Sequence, residues 1–269
     1  MKHVLTIAGS DTCGGAGVQA DLKTISAWGA YGLSVFTSLT AQNTRGVGAI
    51  QELEPWFIQS QLDAIFTDIA VDAIKIGMLG SSAIIATVAE YLEQFAVPIV
   101  LDPVMVAKSG DRLLQRSAIN TLKKLLIPLA TVITPNLPET EELLGHPVKT
   151  LEAMEEACHE LLAWGIPWVV VKGGHLEGEP VDMVGHGDEI MQLSGKRVAG
   201  NKNHGTGCTF SSAIAAGIAL GLAIPEAITR ARDYLQTALE NGFAIGQGVG
   251  VLHHFAGFNR DIFREGVKC

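Results

Sequence analysis

The run His204-Gly205-Thr206-Gly207-Cys208-Thr209-Phe210-Ser211-Ser212-Ala213 decides how this chain is read. It is a small-residue loop that passes straight into a helical pattern from Thr209 to about Leu220. Glycines at 205 and 207 let successive backbone N–H groups turn toward one point. The helix behind them adds the positive end of its dipole, so the loop is suited to hold an anion. Cys208 falls in the first turn, where that field favours thiolate over thiol. An anion hole beside an activatable group suggests group transfer, foremost of a phosphoryl group. For these residues alone the alternative is a glycine-rich turn with Thr206 as the helix N-cap.

The rest of the chain sets the context for this loop. Its 269 residues, with no evident linker, read as one large α/β domain covering 1–269. The 48% hydrophobic content and 30 glycines fit a compact enzyme with many strand-to-helix turns. Net charge is −9 and no Lys/Arg block occurs, which argues against a nucleic-acid or anionic-membrane surface. A phosphate-bearing ligand would therefore be held locally by loops, a few lysines or a metal. The cysteines, Cys13, Cys158, Cys208 and Cys269, form neither a CxxC pair nor a zinc spacing, and Met1 leads directly into a strand. A reduced, cytoplasmic protein is expected. The uncharged stretch from Asn203 to Pro225 is Gly-, Ser- and Thr-rich and is cut by Pro225, so it reads as a buried helix rather than a membrane span.

Strands and helices alternate almost throughout. Strands are expected at residues 3–8, 33–40, 71–76, 98–101, 131–134 and 168–171, with a hairpin of 181–185 and 189–193 at the sheet edge. Helices are expected up to Trp28 and over 56–68, 83–95, 114–126, 137–144, 151–164 and 225–243, with 41–46 as a polar loop. This order implies a mainly parallel central sheet with helices on both faces. Asp11, Gln42, Met78, Asp102, Asn136 and Lys172 each follow the C-terminal end of an expected strand, the edge where open parallel sheets bind ligands. They are expected to converge on one cleft.

Each of these residues has a functional and a plain reading. The spacing of Gly9 to Gly17 is not GxGxxG and no acidic residue closes the second strand, which disfavours dinucleotide binding. Such a loop lets a flat substrate lie against backbone, with Asp21 as a polar contact or merely a solvated acid. Gln42 presents an acceptor and two donors on one plane, which suits an aminopyrimidine edge, although a loop glutamine is also ordinary surface. Met78 packs either a flat ring or the core. Asp102 could act on a metal directly or through water. Asn136-Leu137-Pro138-Glu139 offers another such position and is equally a helix capping box. Lys172, before two glycines, could neutralise a phosphate or simply be solvated.

Taken in order, Gly9-Ser10-Asp11, Gly14 to Thr24, Thr40 to Thr44, Lys75 to Leu79, Asp102 to Gly110, Thr134 to Glu139, Val171 to His175 and His204 to Thr209 closely resemble the hydroxymethylpyrimidine/phosphomethylpyrimidine kinases of thiamine biosynthesis. That family belongs to the ribokinase-like superfamily. The resemblance implies a ribokinase-like three-layer α/β sandwich, with ATP and Mg²⁺ used in two successive phosphorylations. The first is of 4-amino-5-hydroxymethyl-2-methylpyrimidine and the second of its monophosphate. It further implies that Gln42, Asp21, Met78 and Gly9 contact the pyrimidine, and that Lys172, Asn136 and Thr206 serve ATP. Asp102 and Glu139 would serve the metal, and Gly205, Thr206, Gly207 and Cys208 the catalytic anion hole. Cys208 would stand where many ribokinase-like enzymes carry an aspartate base. A homodimer is expected by analogy. Thr12-Cys13 departs from the usual pattern of the family. The closest rival is a pyridoxal or pyridoxine kinase of the same superfamily, against which Gln42 argues. A rival of another class is a non-catalytic pyrimidine-binding protein.

Overall fold

The structure, a computed structural model, describes residues 1–107 and 110–257. Lys108, Ser109 and Cys269, noted above, lie outside the described residues. The main sheet has eight strands in the order β10-β9-β8-β7-β6-β5-β1-β2. These are β1 (His3–Ala8), β2 (Tyr31–Phe36), β5 (Ala73–Ile76), β6 (Ile99–Leu101), β7 (Val132–Ile133), β8 (Trp168–Val171), β9 (Val181–His186) and β10 (Glu189–Ser194). All neighbours up to β8 pair in parallel, whereas β9 and β10 run antiparallel at one edge. The remaining strands, β3 (Ser38–Asn43) and β4 (Gly46–Glu52), form a separate two-stranded antiparallel sheet.

Side-chain alternation along the strands builds two cores. Leu5, Ile7, Ile74, Ile76, Ile99, Leu101, Ile133, Val169 and Val171 face one cluster. That cluster also takes buried residues from α2 (Pro55–Phe66), α3 (Ser82–Leu92), α5 (Leu137–Leu144) and α6 (Leu151–Leu162). Val4, Ala73, Val100, Val132, Val170 and Val184 face the other, with α1 (Gly17–Ala27), α7 (Thr206–Ala219) and α8 (Ile224–Glu240). A sheet buried on both faces explains strands that read as near-continuous apolar runs. No helix among the described residues is long and apolar enough to cross a membrane.

Several elements differ from the sequence reading. The expected strand 33–40 breaks at Thr37, and of the expected polar loop 41–46 residues 41–43 end β3, Gly46 opens β4, and only Thr44 and Arg45 form the turn. The expected helix 114–126 is a chain of short turns over Arg116–Leu129: 3-10, a single α turn (α4, Ile119–Thr121), π and 3-10 again. Pro128 removes one donor in the last of these and ends the helical stretch. Gly205, with φ of +84°, occupies the N-cap of α7, and Thr206 is its first residue rather than its cap.

Candidate active site

The parallel strands end at one edge, and the residues that follow them line a single cleft of about 390 Å³. Asp11, Gln42, Met78, Asp102, Asn136 and Lys172 all contribute to it, as do Gly9, Glu139 and Gly205 to Cys208. A second cleft of about 210 Å³ lies beside it, with Phe210, Leu235 and Leu239 among its apolar lining and Lys196, Arg197 and Arg232 among its cations. The two clefts share Asn136, Lys172, His175, Asn203, Thr206 and Gly207.

Two glycine-rich loops meet at this junction. A Cβ on Gly205 would stand 1.8 Å from the Gly15 carbonyl oxygen, and its backbone is left-handed, so only glycine fits there. Asp11 ties the loops together. Its Oδ2 accepts from the backbone N–H of Gly15 at 3.0 Å and of Ala16 at 2.7 Å, and stands 2.8 Å from His204 Nε2. Burial alone would raise the Asp11 carboxyl, but hydrogen bonds from His204 and Cys13 outweigh it and hold the group below the usual carboxylate range. His204 is steadied from the other side by its backbone bond to Gly250, whose segment also bonds Thr44 at the β3–β4 turn.

The first turn of α7 leaves the N–H groups of Thr206, Gly207 and Cys208 without intrahelical acceptors, which makes an anion-binding corner. A Cβ on Gly207 would lie 3.1 Å from Asp102 Oδ2 and 3.3 Å from Lys172 Nζ, so the helix start packs onto that pair. Lys172 Nζ donates to Asp102 Oδ1 at 2.7 Å, and Thr134 Oγ1 donates to the same oxygen at 3.2 Å. Burial works against the Lys172 charge, but Asp102 and Glu139 outweigh it and hold the ammonium above its ordinary range. Asn136 and Glu139 form a complete capping box: Asn136 Oδ1 accepts from Glu139 N at 3.0 Å and Glu139 Oε2 from Asn136 N at 2.8 Å. Burial pushes the Glu139 carboxyl up to about 7, with Lys172 opposing and Asp102 adding to the rise. Two buried carboxylates offer the hard oxygen donors that Mg²⁺ prefers, so this corner fits that ion.

Asp21 and Cys208 stand in surroundings that the sequence does not show. Asp21 does not line the cleft. It is fully buried beneath it, where its carboxylate accepts from Lys75 Nζ at 2.9 and 2.8 Å, Thr6 Oγ1 at 2.6 Å and Ser212 Oγ at 2.8 Å. Three donor groups make four hydrogen bonds to it, so its polar partners all come from the protein. Cys208 sits in surroundings that disfavour its thiolate. Burial, assisted by Asp21 and Asp102, pushes its thiol up to about 11 despite the opposing Lys75 ammonium and the N–H of Gly17. Burial opposes the helix field first, and Asp21 and Asp102, both remote in sequence, add to it.

Lys75 was missed as part of the cleft floor. It is fully buried, and Asp21 keeps its ammonium above the usual range against the effect of burial. A lysine inside the strand Ala73-Ile74-Lys75-Ile76 was the available signal, because an unpaired charge is not tolerated there. The residues of the second cleft carried no comparable mark. Gly9, in contrast, is explained by close approach: a Cβ there would meet Ser38 Oγ at 2.7 Å and Met78 Sδ at 2.9 Å.

Comparison with known proteins agrees with this geometry. The chain is 47% identical over 255 residues to a hydroxymethylpyrimidine/phosphomethylpyrimidine kinase of Rhizobium meliloti (strain 1021), covering 93% of this chain and 96% of that one. The solved phosphomethylpyrimidine kinase of Clostridium difficile 630 is similar at a TM-score of 0.79 and 44% identity, over 87% of this chain and 98% of that one. An ADP complex of Bacillus subtilis pyridoxal kinase is similar at a TM-score of 0.89 and 37% identity, over 95% and 98%. The ribokinase-like fold expected from the sequence is thus the observed one. Residues 11–253 match the phosphomethylpyrimidine kinase family, and the chain belongs to it.

Proposed function

We propose that this chain is an ATP-dependent kinase that phosphorylates 4-amino-5-hydroxymethyl-2-methylpyrimidine and then its monophosphate, in thiamine biosynthesis. The observation that carries the reading is the junction of two clefts at Asn136, Lys172, Thr206 and Gly207. Phosphoryl transfer needs a donor and an acceptor held in line across a charge-stabilising boundary. The larger cleft takes the pyrimidine, with Gln42 on its polar edge, Gly9 against the ring and Met78 beside it. The second takes the nucleotide, whose base lies on Phe210, Leu235 and Leu239.

The hydroxymethyl oxygen forms the new bond to the γ-phosphorus as the bond to the β-phosphate oxygen breaks, and ADP leaves. The first-turn N–H groups of α7 and the Lys172 ammonium balance charge on the transferring group. Asp102 and Glu139 would hold Mg²⁺, which supplies charge neutralisation between the phosphates when bound. Because its surroundings disfavour the Cys208 thiolate, positioning and charge stabilisation supply most of the rate. The hydroxyl proton moves late to a non-bridging oxygen of the transferred phosphoryl group, with Cys208 beside its path. The protein works as a single domain over residues 1–269, as a cytoplasmic homodimer.

Fold alone does not separate the pyrimidine from a pyridoxal substrate, since a pyridoxal kinase superposes well. Sequence favours the pyrimidine, at 47% identity against 37%, and so does Gln42 in the cleft. The test supplies ATP and Mg²⁺ with hydroxymethylpyrimidine and pyridoxal in competition and resolves products by mass. Pyrimidine mono- and then diphosphate are expected. Pyridoxal phosphate as the main product would overturn the assignment.

A further inference from the structure

One cluster of ligand atoms is not used by the phosphoryl-transfer chemistry. Asp11, Cys13 and His204 place a carboxylate oxygen, a thiol sulfur and an imidazole nitrogen all within 4.8 Å of one another. Cys13 Sγ lies 3.3 Å and His204 Nε2 2.8 Å from Asp11 Oδ2. A tetrahedral Zn²⁺, with bonds of about 2.3 Å to sulfur and 2.0 Å to nitrogen and oxygen, spaces such ligands at about 3.5 Å (S to O) and 3.3 Å (N to O). The sulfur-to-oxygen and nitrogen-to-oxygen separations need to open by about 0.2 and 0.5 Å, and the sulfur and nitrogen, within 4.8 Å of each other, need to settle at about 3.5 Å. We propose that Asp11, Cys13 and His204 form a binding site for a thiophilic divalent cation of the Zn²⁺ class, at the seam between the substrate loop and the anion-hole loop.

The donor set selects the ion. A thiolate with an imidazole suits Zn²⁺ or Co²⁺, whereas Mg²⁺ prefers oxygen donors such as Asp102 and Glu139. Cys13 is half-exposed and gives the ion a way in, while Asp11 and His204 are buried and hold their positions. Three protein ligands leave a fourth position for water.

Ligation has a defined proton balance. Cys13 loses its thiol proton to solvent, and the proton that His204 Nε2 shares with Asp11 moves to Nδ1, so about one proton is released per ion. His204 Nδ1 is buried and has no hydrogen-bond partner among the described residues. Metal-bound imidazoles ordinarily donate that proton to a second group, and lack of the partner weakens sites by about 10–100-fold. The site is therefore a reversible, regulatory one rather than a permanent structural centre. Gln42 Nε2 stands 3.4 Å from His204 Nε2, so occupancy also perturbs the pyrimidine edge. On the proposed function, it raises KM for pyrimidine and leaves KM for ATP unchanged.

The test reads the ion directly and does not depend on turnover. Co²⁺ is titrated into the full chain in excess Mg²⁺, and thiolate-to-cobalt charge-transfer absorption is followed, with displacement by Zn²⁺. The expected result is one Co²⁺ per chain with that band, about one proton released, and binding weakened by about tenfold or more in Cys13→Ser. Cys208→Ser is expected to keep the band. Absence of the band in the unaltered chain overturns the proposal, as does its undiminished persistence in Cys13→Ser. Loss of kinase activity toward the pyrimidine, with the band intact, would instead count against the proposed function.

Discussion

The buried pair under the cleft gives the sharpest stability prediction. Lys75 and Asp21 have fully buried side chains and bond at 2.8 Å. Lys75→Met removes the cation at nearly constant volume, so the packing of β5 against α7 is kept. It leaves Asp21 with only the Thr6 and Ser212 hydroxyls as donors. Removing one partner of a buried ion pair costs about 3–5 kcal/mol, because the remaining charge is neither solvated nor paired. At about 2 °C per kcal/mol for a chain of this size, Tm falls by about 6–10 °C. Asp21→Leu combined with Lys75→Met removes both charges and is expected to recover much of that loss. The interaction energy from the double-mutant cycle should then exceed about 2 kcal/mol. Urea and thermal melts of the four proteins and of Asp21→Asn, with KM for the pyrimidine measured on the folded fractions, make the test. Additive losses, or Asp21→Asn leaving Tm unchanged while raising KM several-fold, would refute the structural role and return Asp21 to the substrate.

Other consequences follow from the same geometry. His254 is 4% exposed, lies 3.1 Å from Thr209 Oγ1, and has its imidazole pushed down to about 4 by burial and then by the charges of Lys23 and His253. A folded value below the unfolded one adds stability that is complete above about 6.5 and is lost as pH falls through about 4. Stability should thus drop by about 2 kcal/mol between pH 7 and pH 5, and His254→Gln should flatten that slope; equal slopes would exclude the assignment. Labelling of Cys208 by iodoacetamide, followed by peptide mass in Cys13→Ser, should be slow at pH 8 and accelerate toward 11; a midpoint near 7 would restore the thiolate reading. Gly205→Ala forces a Cβ into the Gly15 carbonyl and should cost about 2 kcal/mol or more in a urea melt. Gly207→Ala meets only the flexible ends of Asp102 and Lys172, so it should fold normally while kcat falls about tenfold or more. A full loss of fold in Gly207→Ala, or an unaffected Gly205→Ala, would contradict this.

The sheet, its exposed ligand-binding edge and the capping box at Asn136 could be read from sequence because each is written in local pattern. Apolar strands end in special residues, and α5 (Leu137–Leu144) and β8 (Trp168–Val171) have the expected limits. The β3–β4 hairpin could not be read this way. Its turn lacks an Asn-Gly or Asp-Gly signal, and a register shift between Ala41 and Gln42 breaks the alternation. Asp21 did carry a signal, since it sits between Val18 and Ile25 at helical spacing on the buried face of α1. Its partner Lys75 is a lone charge in an apolar strand, but only the fold brings the two together. The same holds for Cys208, whose local helix field is visible in sequence while the opposing carboxylates come from α1 and the end of β6.

The central claim is that a phosphoryl group crosses the boundary shared by the two clefts. A crystal structure with hydroxymethylpyrimidine, Mg²⁺ and a non-hydrolysable ATP analogue tests it most directly. The account predicts the hydroxymethyl oxygen about 3–3.5 Å from the γ-phosphorus, in line with the bridging atom and beside Thr206 to Cys208. A nucleotide whose phosphates point away from that corner, or a pyrimidine seated outside the Gln42 cleft, would contradict it.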